Sequence, residues 1–289
     1  MLYENEYNNL KQWVESIDEK ILFCSGAIGD FFLGMDLALK NKMPLIYWSK
    51  PNTFEISKKF LSALKIKNFV INVGLEIWRN KNTHQFCLAI HDLLKDKGFR
   101  THGNNKCNLP FVTFYPDIVN KEYYEFTNYK LNLPEKFCLI CPSGNNNSHK
   151  IKRFFYLPEF KNLVQVILAK KIEPIIVGNI NQLQRYDSKK KYKWLQFDNF
   201  NGENIEPEHF IETVRLSKFT VSPDTSLKTL SAAMHVTTFV LRNRNLQNQF
   251  VNGAWDRIFL DKNKWKTIQC FNYNNLIKKI SEFDIIKML

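Results

Sequence analysis

The stretch "FCLICPSGNNNSHKIKRFFYLPEFKNLVQVILAKKIEPIIVGN", residues 137–179, decides the fold. It opens on an apolar run of strand length and turns through Pro142, Ser143 and Gly144. It then continues in "LPEFKNLVQVILAKK", with apolar residues at helical spacing, and closes on a second apolar run, "EPIIVGN". Strand, turn, helix and strand in that order make a βαβ unit with parallel strands and a right-handed crossover.

The same grammar extends in both directions. Downstream, "EHFIETVRLS" predicts a helix, "KFTVSPDTS" a strand and turn, "LKTLSAAMHV" a helix, "TTFVLRN" a strand and "NNLIKKISEFDIIKML" an amphipathic helix. Upstream, a polar opening helix precedes the strand "KILFCS", the helix "DFFLGMDLALKNK", the strand "PLIYWS", the helix "FEISKKFLSALKI" and the strand "NFVINV". "HQFCLAIHDLLKDKGF" predicts a further helix and "RTHGNNKCNLP" a loop. The polar, aromatic segment "NKEYYEFTNYKLNLPEKF" reads as a passage between domains, with a boundary near residue 132. The expectation is two doubly wound α/β domains in tandem, 1–132 and 133–289, without a repeat of fixed period.

A chain of 289 residues suits two such domains better than one core. Hydrophobic residues at 44% and charged residues at 24% place it among globular proteins. The first twenty residues lack the apolar stretch of a secretion signal. The apolar runs elsewhere fall short of the roughly 20 residues that span a bilayer as a helix. A soluble cytoplasmic protein is expected. Six scattered cysteines fit reduced thiols, and Cys138 with Cys141, inside a strand and with no second pair at zinc spacing, points to a structural role.

Lys and Arg number 41 against 28 Asp and Glu, a formal charge of +13. That surplus suits polyanions as well as a plainly solvated surface, and "KKKYK", 189–193, reads as a solvated loop. No RNP-type aromatic motif, zinc finger or KH-type loop accompanies it, so nucleic acid is not expected.

Ligands of parallel sheets bind beyond the carboxyl ends of strands, which singles out four turns. In "SGAIGD", Ser25 to Asp30, Gly26 and Gly29 allow a tight turn and close approach of a ligand, while Asp30 either caps the helix that begins there or acts chemically. The spacing is not that of a dinucleotide fingerprint. "PSGNNNSHKIKRF", Pro142 to Phe154, offers Ser143 with His149, Lys150, Lys152 and Arg153, suited to phosphates or simply to solvent. "VGNINQ", Val177 to Gln182, turns at Gly178, and Asn179 or Gln182 can hydrogen-bond a sugar or base or serve the loop alone. In "SPDTSLKTLSAAMH", Ser222 to His235, Asp224, Thr225 and Ser226 are each able to cap a helix whose amides face the strand ends, an anion site or a mere cap.

Taken in order, these stretches resemble glycosyltransferase family 9, the ADP-heptose:lipopolysaccharide heptosyltransferases. "ILFCSGAIGDFFLGMDLALK" is similar to that family's strand, G-x-I-G-D turn and helix. "CPSGNNNSHKIKRFFYLPEF" is similar to its second-domain strand, loop, Lys and W-P-x-x-x-F-like helix start. "EPIIVGNINQ" resembles its strand ending in Gly-Gly, and "VRLSKFTVSPDTSLKTLSAAMHVTTFVL" its D-T-G-x-x-H signature.

The resemblance implies a GT-B fold, two Rossmann-like domains with parallel sheets facing across a cleft. It implies an acceptor on the first domain near Gly29 and a nucleotide-sugar, such as ADP-heptose, on the second. Asp30 takes the role of general base and Lys152 offsets charge on the donor diphosphate. Ser143, Arg153, Gly178, Gln182, Asp224, Thr225 and Ser226 are the implied donor contacts. Neither a metal nor a separate cofactor is implied. Transfer with a base opposite the leaving group inverts the anomeric centre. The implied acceptor is an anionic lipid-linked glycan at the inner face of a membrane, with peripheral contact to its anionic surface. Four positions depart from the family pattern: Asn179 replaces its second Gly, Gln182 its Glu, Ser226 its Gly and Thr229 its His. A degenerate binding module of the same fold is the alternative.

Overall fold

The structure, a computed structural model, describes residues 2–25, 28–49, 55–60, 83–100, 132–143, 155–196, 207–223, 225–241 and 267–283. The chain divides into two compact units, Met1–Pro116 with Glu122–Tyr124, and Asp117–Lys121 with Glu125–Leu289. The predicted strand "NFVINV" and the segment around residue 120 lie outside the described residues.

In the first unit, strand β1 (Ile21–Ser25) is flanked by β2 (Leu45–Trp48) and β3 (Gly98–Arg100), both parallel to it. Leu22 stands opposite Leu45 on one side and Phe99 on the other. Around the sheet lie α1 (Leu2–Glu15), α2 (Ile28–Lys40) and α3 (Thr83–Leu93), and residues 55–60 are also helical. Both faces of β1 are covered, as its unbroken apolar run requires. Leu10 and Val14 of α1 pack with Ile21, Phe23, Ile46, Trp48 and Ile90 on one side, and α2 lies against β1 and β2. Gly34 sets how closely α2 approaches: a Cβ there would stand 2.7 Å from the Cβ of Cys24, so any larger residue pushes the helix off the strand. The helix predicted to run through Phe99 ends at Leu93 instead, and Gly98–Arg100 is a strand. The Lys97 ammonium donates to the carbonyls of Val14 and Ile17, closing the end of α1.

The second unit runs β4 (Phe137–Ile140), α4 (Leu157–Ala169), β5 (Glu173–Gly178), α5 (Ile180–Tyr186), β6 (Lys193–Gln196), α6 (Pro207–Leu216), β7 (Thr220–Ser222), α7 (Ser226–Ala233), β8 (Thr238–Leu241), β9 (Thr267–Cys270) and α8 (Tyr273–Glu282). Its six strands are parallel and ordered β6-β5-β4-β7-β8-β9. Numbered by their sequence within the unit, that is the 3-2-1-4-5-6 order of the doubly wound dinucleotide-binding fold. α4 starts with Pro158 in its first turn and the Tyr156 amide donating to the Glu159 carboxylate at 2.9 Å, both strong initiators. Its apolar stripe, Phe160, Leu163, Val164 and Ile167, packs on Ile140, Ile176, Val221 and Phe239 and on Leu276 and Ile280 of α8. Each large side chain buried there contributes about 1.5–3 kcal/mol. Phe219 and Phe239 meet edge to face at 5.5 Å. Lys170 caps α8 by donating to the carbonyls of Ser281 at 2.8 Å and Phe283 at 3.0 Å. Two cations of the basic surplus, Lys97 and Lys170, therefore close helix ends.

The run at 189–193 is a turn leading into an edge strand, with Lys193 the first residue of β6. Asp187, 5% exposed, holds that turn by accepting from the amides of Lys191 and Tyr192, both at 2.9 Å, and from the Trp194 indole at 2.8 Å.

Candidate ligand site at the strand ends

In a sheet of this order the crevice opens where the strand order reverses. Here that is between β4 and β7, where Leu139 and Ile140 pair with Thr220 and Val221. One bond further, the Cys141 amide donates to the Val221 carbonyl at 2.9 Å. Beyond that bond the two chains continue as Pro142 and Ser143 on one side and Ser222, Pro223 and Thr225 on the other.

A polar cluster fills this position. The Ser222 hydroxyl donates to the Pro223 carbonyl at 2.6 Å and lies 2.5 Å from the Thr225 hydroxyl. Since Ser222 has a single proton, Thr225 is the donor in that pair. Thr225 is the N-cap of α7 by backbone conformation, yet its side chain turns to Ser222 and makes no cap bond. Ser226 is the first helical residue, and the first turn carries no acid. The opening amides of α7 thus meet the crevice with the positive end of the helix dipole.

Cys141 donates its thiol proton to the Ser143 carbonyl at 3.3 Å. Burial pushes this thiol up to about 11, against the lowering effect of hydrogen bonds with Thr225, Ser143 and Ser222. It is therefore protonated and unreactive at neutral pH. Cys138 points to the opposite face of β4, into the core beside Ile140, because strand side chains alternate. The two sulfurs of the C-x-x-C cannot join in a disulfide or share a metal, as the structural reading requires.

Gly178 and Gln182 adjoin the cluster from β5. Asn179 caps α5: its Oδ1 accepts from the Gln182 amide and its own amide donates to Gln182 Oε1, each at 3.0 Å. Gln182 Nε2 reaches across to donate to the Ser143 carbonyl at 3.2 Å. Ser143, Gly178, Gln182, Thr225 and Ser226 are therefore gathered at one end of one sheet, from three separate turns. Lys152, Arg153 and Asp224 lie outside the described residues.

Lys228, in the first turn of α7 and 5% exposed, was not legible as a site residue. Nothing in "SLKTLSAA" marks its lysine as buried, since a lysine at that spacing reads as the solvated side of a helix. Its place in the first turn of α7 puts it at the end of the helix that faces the crevice.

In the first unit, Gly29 and Asp30 sit in the opening turn of α2, beyond the carboxyl end of β1. Asp30 is the third helical residue, inside the helix and not its cap, and its half-buried position matches the sign of the dipole. Its backbone carbonyl accepts from the Cys24 thiol at 3.0 Å. Tyr47, on the neighbouring strand, is held far above the usual phenol range, chiefly by burial, with the nearby Asp30 carboxylate adding to it against hydrogen bonds from Ser49 and Ser57. Asp30 thus lies among the polar ends of β1 and β2. Among the described residues no cluster of His, Cys, Asp and Glu is placed to hold a metal ion.

Fold and site define an α/β protein whose second unit is a Rossmann-ordered sheet with a polar crevice at the reversal of strand order. No protein-family model matches the chain, and no curated protein sequence matches it. Among solved structures it is similar to the E. coli heptosyltransferase WaaC with ADP, at 10% identity over 93% of this chain and 97% of that one, with a TM-score of 0.47. It is also similar to a family 9 glycosyl transferase from Veillonella parvula, at 7% identity over 94% and 95%, TM-score 0.47. A UDP-GlcNAc 2-epimerase from Methanocaldococcus jannaschii matches at 12% identity over 92% of each chain, TM-score 0.46. At these values the likenesses decide neither ligand nor activity, and the fold rests on the strand order itself.

Proposed function

We propose that this chain is an inverting, metal-independent glycosyltransferase that moves a sugar, of the heptose class, from a nucleotide-diphosphate sugar to a lipopolysaccharide or related surface-glycan acceptor. The observation that carries the reading is the gathering of Ser143, the Ser222–Thr225 pair and the start of α7 at the strand-order reversal of the second unit. A departing diphosphate needs amides, hydroxyls and cations to take up its charge. Residues 133–289 supply them in this reading: the opening amides of α7, Thr225, Ser226 and the buried Lys228, with Lys152, Arg153 and Asp224 from the sequence resemblance. Residues 1–132 supply the acceptor side, where Asp30 removes the proton of the attacking hydroxyl as the glycosidic bond to the diphosphate breaks. No helix among the described residues is long and apolar enough to cross a membrane. In this proposal a cytoplasmic enzyme meets its lipid-linked acceptor peripherally, at the inner face, through its basic surface.

The test is transfer from a panel of nucleotide-diphosphate sugars to a lipopolysaccharide core acceptor, with Asp30→Asn alongside. A general base is worth about 100- to 10,000-fold in rate, so Asp30→Asn loses at least the lower figure while nucleotide affinity is kept. Unchanged transfer in that variant removes Asp30 from the chemistry. A second reading, a non-catalytic nucleotide or glycan binding module, is favoured by Thr229, which is 1% exposed and presents no imidazole where the resemblance places one. Nucleotide-sugar turnover of any kind excludes it.

A further inference from the structure

Gly178, Asn179 and Gln182 form an interlocked corner at the start of α5. A Cβ on Gly178 would lie 2.8 Å from Gln182 Oε1 and 3.2 Å from Gln182 Cβ, and the three nearest atoms all belong to Gln182. The missing side chain is thus the space in which the glutamine lies. From there its oxygen accepts from the Asn179 amide at 3.0 Å and its nitrogen donates to the Ser143 carbonyl at 3.2 Å. That carbonyl also accepts from the Cys141 thiol at 3.3 Å. Two donors converge on one carbonyl, so the turn leaving β4 is fixed at its second residue.

We infer that Gln182 is a positioning residue: its amide straps the Ser143 turn of β4 to the start of α5, and so sets the wall of the crevice without itself reading the ligand. The amide is required for this work. A carboxylate could replace Oε1 toward Asn179 but would set an acceptor against the Ser143 carbonyl. Gly178 is required because any side chain there displaces the strap.

The experiment is a thermal cycle on the full chain with Gln182→Ala, Gly178→Ala and the double variant, together with Gln182→Glu. Each single variant is expected to lower the unfolding midpoint by about 3 °C. The double variant is expected to lower it no further than the worse single one, because the alanine methyl occupies the space that Gln182 vacates. Additive losses overturn the interlock. Gln182→Glu is expected to be at least as damaging as Gln182→Ala at neutral pH and to recover on acidification, where its carboxyl can donate. Wild-type stability in that variant at neutral pH overturns the strap.

The ligand arm rests on the proposed donor site. Gln182→Ala is expected to weaken ADP and 2′-deoxy-ADP by the same factor, about fivefold for one lost hydrogen bond. Loss for ADP alone would make Gln182 a ribose contact and overturn the inference. If the wild-type chain binds neither nucleotide, the proposed function fails, and the thermal cycle decides the strap by itself.

Discussion

Removing the Asp187 carboxylate should cost more stability than removing any exposed charge. Asp187→Ala deletes one 5%-exposed side chain and leaves three donors without their acceptor: the amides of Lys191 and Tyr192 and the Trp194 indole. At about 1 kcal/mol for each orphaned donor, the loss is about 3 kcal/mol. For a unit of this size that lowers the midpoint by roughly 6–12 °C. Asp187→Asn keeps one accepting oxygen but turns an NH2 toward the remaining donors, so about half the loss remains. Urea unfolding of both variants, followed by circular dichroism and by tryptophan fluorescence, reads the difference. A loss below about 0.5 kcal/mol for Asp187→Ala would mean that water serves those donors equally well and would refute the claim that this carboxylate holds the turn.

Other outcomes follow from the same geometry. Lys170→Met removes two bonds to the last carbonyls of α8 and is expected to cost about 1 kcal/mol, with faster amide exchange confined to that helix end. Thr225→Val takes the proton from the Ser222 pair and is expected to weaken nucleoside diphosphates about fivefold at nearly unchanged fold, measured by calorimetric titration. The Tyr186 phenol donates to the buried Phe155 carbonyl at 2.6 Å, and burial raises it to about 12. A raised folded value means that this stabilisation is whole below the ordinary phenol value of 10.0 and is lost as pH climbs to about 12. Tyr186→Phe should therefore flatten the alkaline fall in stability over that window while lowering stability at neutral pH.

What could be read from the sequence follows burial on both faces. β1, β4, β5 and β8 are continuous apolar runs, because parallel strands covered by helices on each side admit little else, and α4 carries an unbroken apolar stripe with Pro158 and Glu159 to start it. β6 escaped because it is an edge strand: "KWLQ" follows a lysine run, which edges tolerate and which reads as solvent-facing. β3 was absorbed into the helix before it, since Gly98 and Phe99 alone carry no periodicity. α5 is seven residues long, too short for its spacing to show, and the Asn179 to Gln182 capping pair that starts it read only as a loop.

The site was legible as turns and illegible as bonds. Ser143, Gly178, Thr225 and Ser226 follow strands, and the strand order brings them to one place. That Gln182 spends its amide on Ser143 depends on the distance between two turns, and the two residues are thirty-nine apart in the chain. Burial of Lys228 depends likewise on packing around α7, which no local pattern encodes.

The most direct measurement is thermal stabilisation of the purified chain by ADP, GDP, UDP and CMP and by the corresponding nucleotide-sugars, repeated with Thr225→Val. Selective stabilisation by one nucleoside diphosphate and its sugar is expected, reduced in the variant, since ligand binding to the folded state raises the midpoint by mass action. Folded protein whose midpoint none of these ligands moves would contradict a donor site at the ends of β4 and β7.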